Sequence, residues 1–263
     1  MDLTGKVCVI TGASSGIGQS LAIKISLKGA TVVMAARRNS KLKNIKEKID
    51  NEGGKCIGIK TDITKKLECK HLIDETINLY GKIDILILGA GVSMWSPFEE
   101  ITDISFFDDL MATNYSGAVH CIHAALPHLI SSKGMIVSCS TAQALVGFTN
   151  HSGYAASKHA LHGFLDTLDM ELNGKVQFLE ACLGWIRGTN MRSNAFGPSG
   201  TKMGETKRKH SSNSVDLDVC TDKIINAIME RKKTIYIPWK LSLIPYLDPV
   251  SYTHLRAHET RTY

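Results

Sequence analysis

Tyr154 and Lys158 stand four residues apart in the segment GYAASKHALHGF, and their types and spacing suit acid–base chemistry. On a helix, residues at i and i+4 lie one above the other, with Cβ atoms roughly 5–6 Å apart. An ammonium that close to a phenol favours the phenolate and lowers a side-chain pKa that is about 10 in water. The spacing therefore predicts an acid/base usable near neutral pH. The same spacing also fits a packed tyrosine beside a solvated lysine, so the chemistry needs a second element that delivers a reactant.

That element lies near the N-terminus. Lys6–Thr11 (KVCVIT) is a short β-branched run of the kind that forms a buried strand. It leads into Thr11-Gly12-Ala13-Ser14-Ser15-Gly16-Ile17-Gly18, and a helical pattern follows over Gln19–Lys28. Strand, glycine-rich turn and helix form the setting a dinucleotide fingerprint requires. Gly12 is expected to make the tight turn, Gly16 to let backbone approach a pyrophosphate, and Gly18 to let helix and strand pack closely. The free N–H groups of the first helical turn would then face the phosphates. At the end of the second strand the residues are Ala36-Arg37-Arg38 rather than an acidic residue. An acidic side chain there would bond the ribose 2′-OH of NAD, whereas arginine accommodates the 2′-phosphate of NADP. NADP(H) is the predicted cofactor.

With these motifs in order, the sequence resembles the short-chain dehydrogenase/reductase family from about residue 4 to about 240. The glycine motif is Thr11–Gly18, the family's aspartate after the third strand is Asp62, its catalytic asparagine matches Asn114, and its YxASK motif is Tyr154–Lys158. The resemblance implies a catalytic set of Asn114, Thr141 or Ser140, Tyr154 and Lys158. It implies cofactor contacts at Gly12, Ser14, Ser15, Gly16, Ile17 and Gly18 in the turn, and at Arg37 and Arg38 beyond the second strand. Further contacts are implied at Asp62 and Ile63, at Ala90 and Gly91, at Tyr154 and Lys158, and at Gly184 and Thr189. It further implies that Lys158 grips the nicotinamide ribose and that Asn114 anchors a water feeding protons through Lys158.

Three positions depart from the family pattern. The NNAG stretch is Leu88-Gly89-Ala90-Gly91, and the Pro-Gly after the sixth strand is Leu183-Gly184. The serine position, thirteen residues before the tyrosine by family spacing, holds Thr141 with Ser140 just before it. A threonine hydroxyl donates and accepts as serine's does, while its methyl stiffens χ1 and crowds the substrate. Thr141 is favoured for the role, with Ser140 as the alternative.

The elements that must position these groups follow from periodicity. Strands are expected near 6–11, 30–36, 55–60, 83–89, 134–139, 175–182 and 234–237. Helices are expected near 17–28, 40–52, 65–80, 103–132, 152–173 and 216–232. Strand–helix alternation predicts an α/β fold, a doubly wound Rossmann-like parallel sheet with helices on both faces, in a single domain. A length of 263 residues and 43% hydrophobic content suit one such core. The net charge of +6 lies largely in Lys41–Lys48 and Lys202–His210, without the interleaved aromatics of a nucleic-acid platform. No nucleic-acid partner is expected. The seven cysteines (Cys8, Cys56, Cys69, Cys121, Cys139, Cys182, Cys220) contain no Cys-x-x-Cys, which points to a reducing compartment and against a zinc site. Among the ten histidines, the i,i+3 pairs His120/His123 and His159/His162 lack a third ligand, so no metal is expected.

The substrate is expected to be a small carbonyl compound or alcohol. Trp185, Met191 and Phe196 fall in a Gly/Ser-rich stretch, Gly184–Ser214, that reads as an apolar lid, with Met94, Trp95, Phe98 and His151 as an opposite wall. This suits a lipophilic ketone or secondary alcohol; the cationic Lys207-Arg208-Lys209 instead suits a 3-oxoacyl thioester. A non-enzymatic NADPH sensor is the reading from another class. A homodimer or homotetramer is expected by resemblance, through helices at about 115–132 and 152–173 (Ala118, Val119, Ile122, Leu126; Leu161, Phe164, Leu165, Leu168). No signal peptide or membrane span is expected, which predicts a cytoplasmic protein. Ile235–Leu247 (IYIPWKLSLIPYL) could close the pocket, pad a subunit contact or touch a membrane surface peripherally. Val250–Thr260 (VSYTHLRAHET) resembles translated read-through of a transposase adaptor used in sequencing libraries. The domain is accordingly expected over 1–249, with 250–263 a non-native, poorly packed tail.

Overall fold

The computed structural model describes residues 1–204 and 214–245. Seven strands form one parallel sheet: β1 (Val7–Thr11), β2 (Thr31–Ala36), β3 (Lys55–Lys60), β4 (Ile85–Leu88), β5 (Met135–Thr141), β6 (Gln177–Leu183) and β9 (Thr234–Ile237), in the order β3-β2-β1-β4-β5-β6-β9. The two short strands β7 (Ile186–Arg187) and β8 (Val215–Asp216) pair with each other outside it. Strand order reverses between β1 and β4, so the carboxyl ends of those two strands flank the crevice where open α/β sheets take ligands.

Alternate residues of each strand feed opposite faces, as the two-residue period of a strand requires. On one face Cys8, Ile10, Val32, Met34, Ile87 and Val137 pack against α1 (Gly16–Leu27), α2 (Asn39–Asn51) and α7 (Leu217–Met229). On the other face Val9, Val33, Leu86 and Ile136 pack against α3 (Lys66–Tyr80), α5 (Gly117–Ser132) and α6 (Ser152–Leu172). Each expected strand and helix is present, with one difference. The continuous helix anticipated over 103–132 is α4 (Phe106–Met111), a π-helical turn over Ala112–Ser116, then α5. A π-turn inserts an extra residue into the helical repeat and is frequent at functional sites; this one carries Asn114.

Several apolar residues expected at a subunit contact are instead spent on the chain's own core. Ala118, Ile122, Leu161, Leu165 and Leu168 are buried against the sheet, leaving Val119, Leu126 and Phe164 half-buried. Trp239 and Leu243, on the turn Trp239–Leu243 that follows β9, are exposed. Among the described residues no helix is long and apolar enough to cross a membrane. Lys207-Arg208-Lys209 and the segment 250–263 lie outside the described residues.

β1 and β4 are tied at both ends. At the amino end the buried Asp84 carboxylate accepts the Val7 N–H at 2.9 Å and pairs with Lys6 (2.9 Å) and Lys82 (3.1 Å). Burial works to raise its pKa, but these donors outweigh it and hold the carboxyl below its usual range. Because the folded-state pKa is depressed, the stabilisation is present at neutral pH and is lost as pH falls through the folded value. Asp84→Ala strips a buried N–H of its acceptor and is expected to cost roughly 1–3 kcal/mol. Urea denaturation over a series of falling pH checks this: the difference from wild type should be largest at neutral pH and shrink as the pH falls through the carboxyl's folded value.

Candidate active site

At the carboxyl end, the Thr11 hydroxyl makes the second tie. Its Oγ1 accepts the backbone N–H groups of Gly89 (3.1 Å) and Ala90 (3.3 Å) and donates to the Ile87 carbonyl (3.3 Å). This draws the segment after β4 onto the glycine turn. Gly12 has φ +68°, and a Cβ placed on it would lie 2.7 Å from the Ala90 backbone. A Cβ on Gly89 would lie 2.8 Å from the Thr11 carbonyl oxygen. Glycine where the family pattern has asparagine thus accompanies an approach of backbone on backbone. Gly18 performs the packing role expected of it, since a Cβ there would lie 2.6 Å from the Gly12 carbonyl oxygen. Gly16 faces the Thr189 side chain at 3.6 Å from the same hypothetical position, so the chain beyond β6 reaches the turn.

Four of the five expected catalytic residues converge beside this junction. Asn114 is buried and clamps the chain after β4: its Oδ1 accepts the Val92 N–H at 2.9 Å, and its Nδ2 donates to the Val92 carbonyl at 2.8 Å and the Ser157 hydroxyl at 2.9 Å. Lys158 Nζ donates to the Cys139 carbonyl at 3.3 Å and lies 5.9 Å from the centre of the Tyr154 ring. A Cβ on Gly91 would lie 3.3 Å from Asn114 Oδ1 and 4.0 Å from Lys158 Nζ, so this position borders both side chains. Thr141 brings its hydroxyl to the Tyr154 phenol and caps the next turn by accepting the Gln143 N–H at 3.4 Å. Ser140, on the opposite face of β5, acts on Glu180 instead. Of the two hydroxyls left open by the sequence, the one beside the phenol is Thr141.

One expectation is reversed. Tyr154 is not made more acidic by Lys158 in this structure: burial pushes its phenol well up, and the Thr141 side chain offsets this only in part. Desolvation penalises the phenolate, and at this separation the ammonium does not overcome it. Burial likewise lowers Lys158, which the nearby Cys139 and Glu180 hold up.

The remaining residues sort by position. Arg38, rather than Arg37, reaches the glycine turn, donating from Nη2 to Ser14 Oγ (3.0 Å) and Ser15 Oγ (3.1 Å). Asp62 has one carboxylate oxygen taken by Thr64, at 3.1 Å to its N–H and 2.8 Å to its hydroxyl. The Ile63 side chain is buried against Gly117, so only its backbone can face a ligand. Gly184 donates its N–H to the Ile237 carbonyl at 2.8 Å, and Thr189 donates its hydroxyl to the Ile186 carbonyl at 3.1 Å.

Of the residues expected to line a pocket, Met94 and Phe196 are core: they pack with Phe106, Leu110 and Tyr154, and Phe196 stacks on Phe106 at 5.1 Å. Phe98 is exposed. Trp95, His151 and Trp185 do gather, joined by Phe148, with ring centroids 4.9–6.3 Å apart. His151 leads from this cluster to Tyr154, 6.1 Å away ring to ring.

The profile of the short chain dehydrogenase family matches residues 6–198. The chain belongs to the short-chain dehydrogenase family. Members of that family are oxidoreductases acting on alcohol and carbonyl groups with a nicotinamide cofactor. Among curated relatives, an 11-beta-hydroxysteroid dehydrogenase-like 2 of Arabidopsis thaliana is 40% identical over 196 residues, covering 74% of this chain and 63% of the relative. An 11-beta-hydroxysteroid dehydrogenase of Pinus massoniana is 38% identical over 192 residues, covering 73% and 54%. The chain thus spans between half and two thirds of the length of these relatives. The fold is shared with a short chain dehydrogenase/reductase from Burkholderia phymatum in complex with NAD (TM-score 0.82, 21% identity, 95% of this chain and 96% of that one). It is shared too with an alcohol dehydrogenase from Thermococcus sibiricus complexed with 5-hydroxy-NADP (TM-score 0.75, 22% identity, 88% and 95%).

The residues of this short-chain dehydrogenase suit a dinucleotide. The turn leaves no room for side chains at Gly12 or Gly18, and Ser15 starts α1 without a side-chain cap on its first N–H groups. A helix start so arranged favours phosphate. Gly12→Ala is expected to abolish binding of a reduced nicotinamide dinucleotide, followed by the nucleotide's fluorescence on titration, and to lower the melting temperature, because the new methyl would lie 2.7 Å from the Ala90 backbone.

Proposed function

We propose that this protein is an NADP(H)-dependent oxidoreductase that interconverts a lipophilic ketone or aldehyde and the corresponding alcohol. The observation that carries this reading is the buried Tyr154 phenol with the Thr141 hydroxyl beside it and Lys158 one helical turn away. When bound, the nicotinamide supplies or accepts the hydride. Tyr154 holds the proton for the substrate oxygen on its phenolic Oη. Thr141 Oγ1 donates to the same substrate oxygen and orients it. Lys158 offers its ammonium to the Tyr154 side of the site, and Asn114 fixes the backbone at Val92 that walls it.

Arg38 supports NADP(H) over NAD(H), since its guanidinium is poised at Ser14 and Ser15, where a 2′-phosphate would meet a forked donor. The aromatic cluster of Trp95, Phe148, His151 and Trp185 supports a lipophilic substrate, as do the hydroxysteroid dehydrogenase names of the relatives. His151 is held neutral, mainly by its burial, so among the described residues the charge against these rings is the Arg192 guanidinium, 5.5 Å from the Trp95 and Trp185 ring centres. The seven unpaired cysteines support a reducing, cytoplasmic setting. The half-buried Val119, Leu126 and Phe164 support pairing of two copies through α5 and α6.

Oxidation of NADPH, followed by its absorbance against a panel of ketones, aldehydes and diketones, tests the activity. Binding of NADPH without oxidation by any of them would favour a sensor instead. With a substrate in hand, Tyr154→Phe is expected to lower kcat by about 10²- to 10⁴-fold while NADPH affinity stays within about twofold; near-normal turnover would overturn the mechanism. Arg38→Ala is expected to weaken NADPH by about tenfold or more and NADH hardly at all, as a charge-assisted phosphate contact would. Equal losses for both nucleotides would remove the cofactor assignment.

A further inference from the structure

Behind Tyr154 and Lys158 lies a second cluster of charged side chains that the proton transfer does not use. Tyr154, Lys158, His162 and Asp166 recur every fourth residue along α6, the spacing that brings side chains of successive turns together. His162 meets two carboxylates, with Nδ1 2.9 Å from Glu180 Oε2 on β6 and Nε2 3.4 Å from Asp166 Oδ2. Glu180 sits in register with Ser138 on β5, and the nearby Ser140 hydroxyl favours its ionised form. Lys158 donates to the carbonyl of Cys139, the residue between those two serines, and Lys158 and Glu180 lie within electrostatic reach of each other.

An ammonium as buried as Lys158, 5% exposed, is costly unless an opposite charge faces it. Two groups hold its pKa up, Cys139 and Glu180. The Cys139 thiol is itself pushed up to about 11 by burial and is neutral at pH 7. Glu180 is the group of the two that is charged there: burial works against its ionisation, but His162, Ser140 and Lys158 together outweigh burial and the carboxyl titrates below its usual range. His162 is raised in turn by Glu180. The other titratable groups around the carboxylate are Cys182 on its own strand and, across a cavity of about 140 Å³, Asp166, Asp169 and Lys233. Lys233 lies 3.2 Å from Asp169. The cavity has room for water, and the Glu180 side chain that lines it is partly exposed.

We propose that Glu180, paired with His162, is the counter-charge that keeps Lys158 in its ammonium form beside Tyr154. Glu180 is then a positioning residue, acting through Lys158 rather than on substrate; its catalytic use rests on the oxidoreductase reading above.

The test is the titration of Lys158 in protein carrying 13Cε-labelled lysine, with the resonance assigned by Lys158→Met. Glu180→Gln keeps the shape and removes the charge. It is expected to lower the Lys158 midpoint by about one pH unit or more and to lower the His162 midpoint with it. Glu180→Asp, which disturbs packing but keeps the charge, is expected to retain most of the wild-type Lys158 midpoint. With a substrate, the high-pH limb of kcat should move down in Glu180→Gln while KM is little changed. A Lys158 midpoint that is the same in wild type and Glu180→Gln, or that falls equally in the Gln and Asp variants, overturns the inference. The titration needs neither substrate nor cofactor. A shifted midpoint therefore supports the pair even where no carbonyl compound is turned over, an outcome that would count against the oxidoreductase reading alone.

Discussion

The approach of two backbones at the carboxyl ends of β1 and β4 is the constraint on which the rest of the site depends. The Thr11 hydroxyl holds the amides of Gly89 and Ala90, and the glycine turn fits against them only because Gly12 and Gly89 carry no side chain. Parallel strands leave their end groups pointing into this crevice, where strand order changes direction. Once the segment after β4 is fixed there, Gly91 and Val92 follow, and Asn114 locks onto Val92 from the π-turn between α4 and α5. Lys158 then has a defined wall on one side and the Cys139 carbonyl on the other.

Thr11, Asn114, Ser157 and Lys158 in this junction are buried, and each is bonded to backbone. Asn114 makes three hydrogen bonds, two to the main chain of Val92 and one to Ser157, whose own hydroxyl bonds the Tyr154 carbonyl at 2.8 Å. Side chains tied to main chain move only if strands and helices move. Such a site is organised before a ligand enters, and oriented groups of this kind stabilise charge without rearranging when it develops. The reverse face of the same arrangement is the cost of burial, which falls on Tyr154 and Lys158 alike and sets the direction in which both titrate.

Much of this was legible in the sequence, because buried parallel strands give continuous β-branched runs and the glycine motif follows one of them directly. The alternation of strand and helix, the glycine turn and the pairing of Tyr154 with Lys158 all have a spacing that can be counted. What escaped was set by depth rather than spacing. The i+4 rule puts Lys158 near Tyr154 but says nothing of desolvation, which decides the phenol's titration. Met94 and Phe196 have the composition of a pocket wall and the position of a core. The π-turn at Ala112–Ser116 differs from an α-helix by its hydrogen bonding, which leaves no mark on composition. Arg37 and Arg38 are chemically identical neighbours, and only in the folded chain does Arg38 reach Ser14 and Ser15. His162 was visible as one of a histidine pair, yet its partner Glu180 lies eighteen residues further along on another element. The four-residue recurrence of Tyr154, Lys158, His162 and Asp166 was the signal available for it.

The aromatic cluster has an optical consequence. Of the three tryptophans in the chain, Trp95 and Trp185 stand 5.8 Å apart with an Arg192 guanidinium 5.5 Å from each ring, while Trp239 is largely exposed elsewhere. Two indoles that close share excitation, and both sit in the ring cluster that leads to Tyr154. Their ultraviolet emission is therefore a built-in reporter of that neighbourhood, and it registers arrivals at the cluster without any added label.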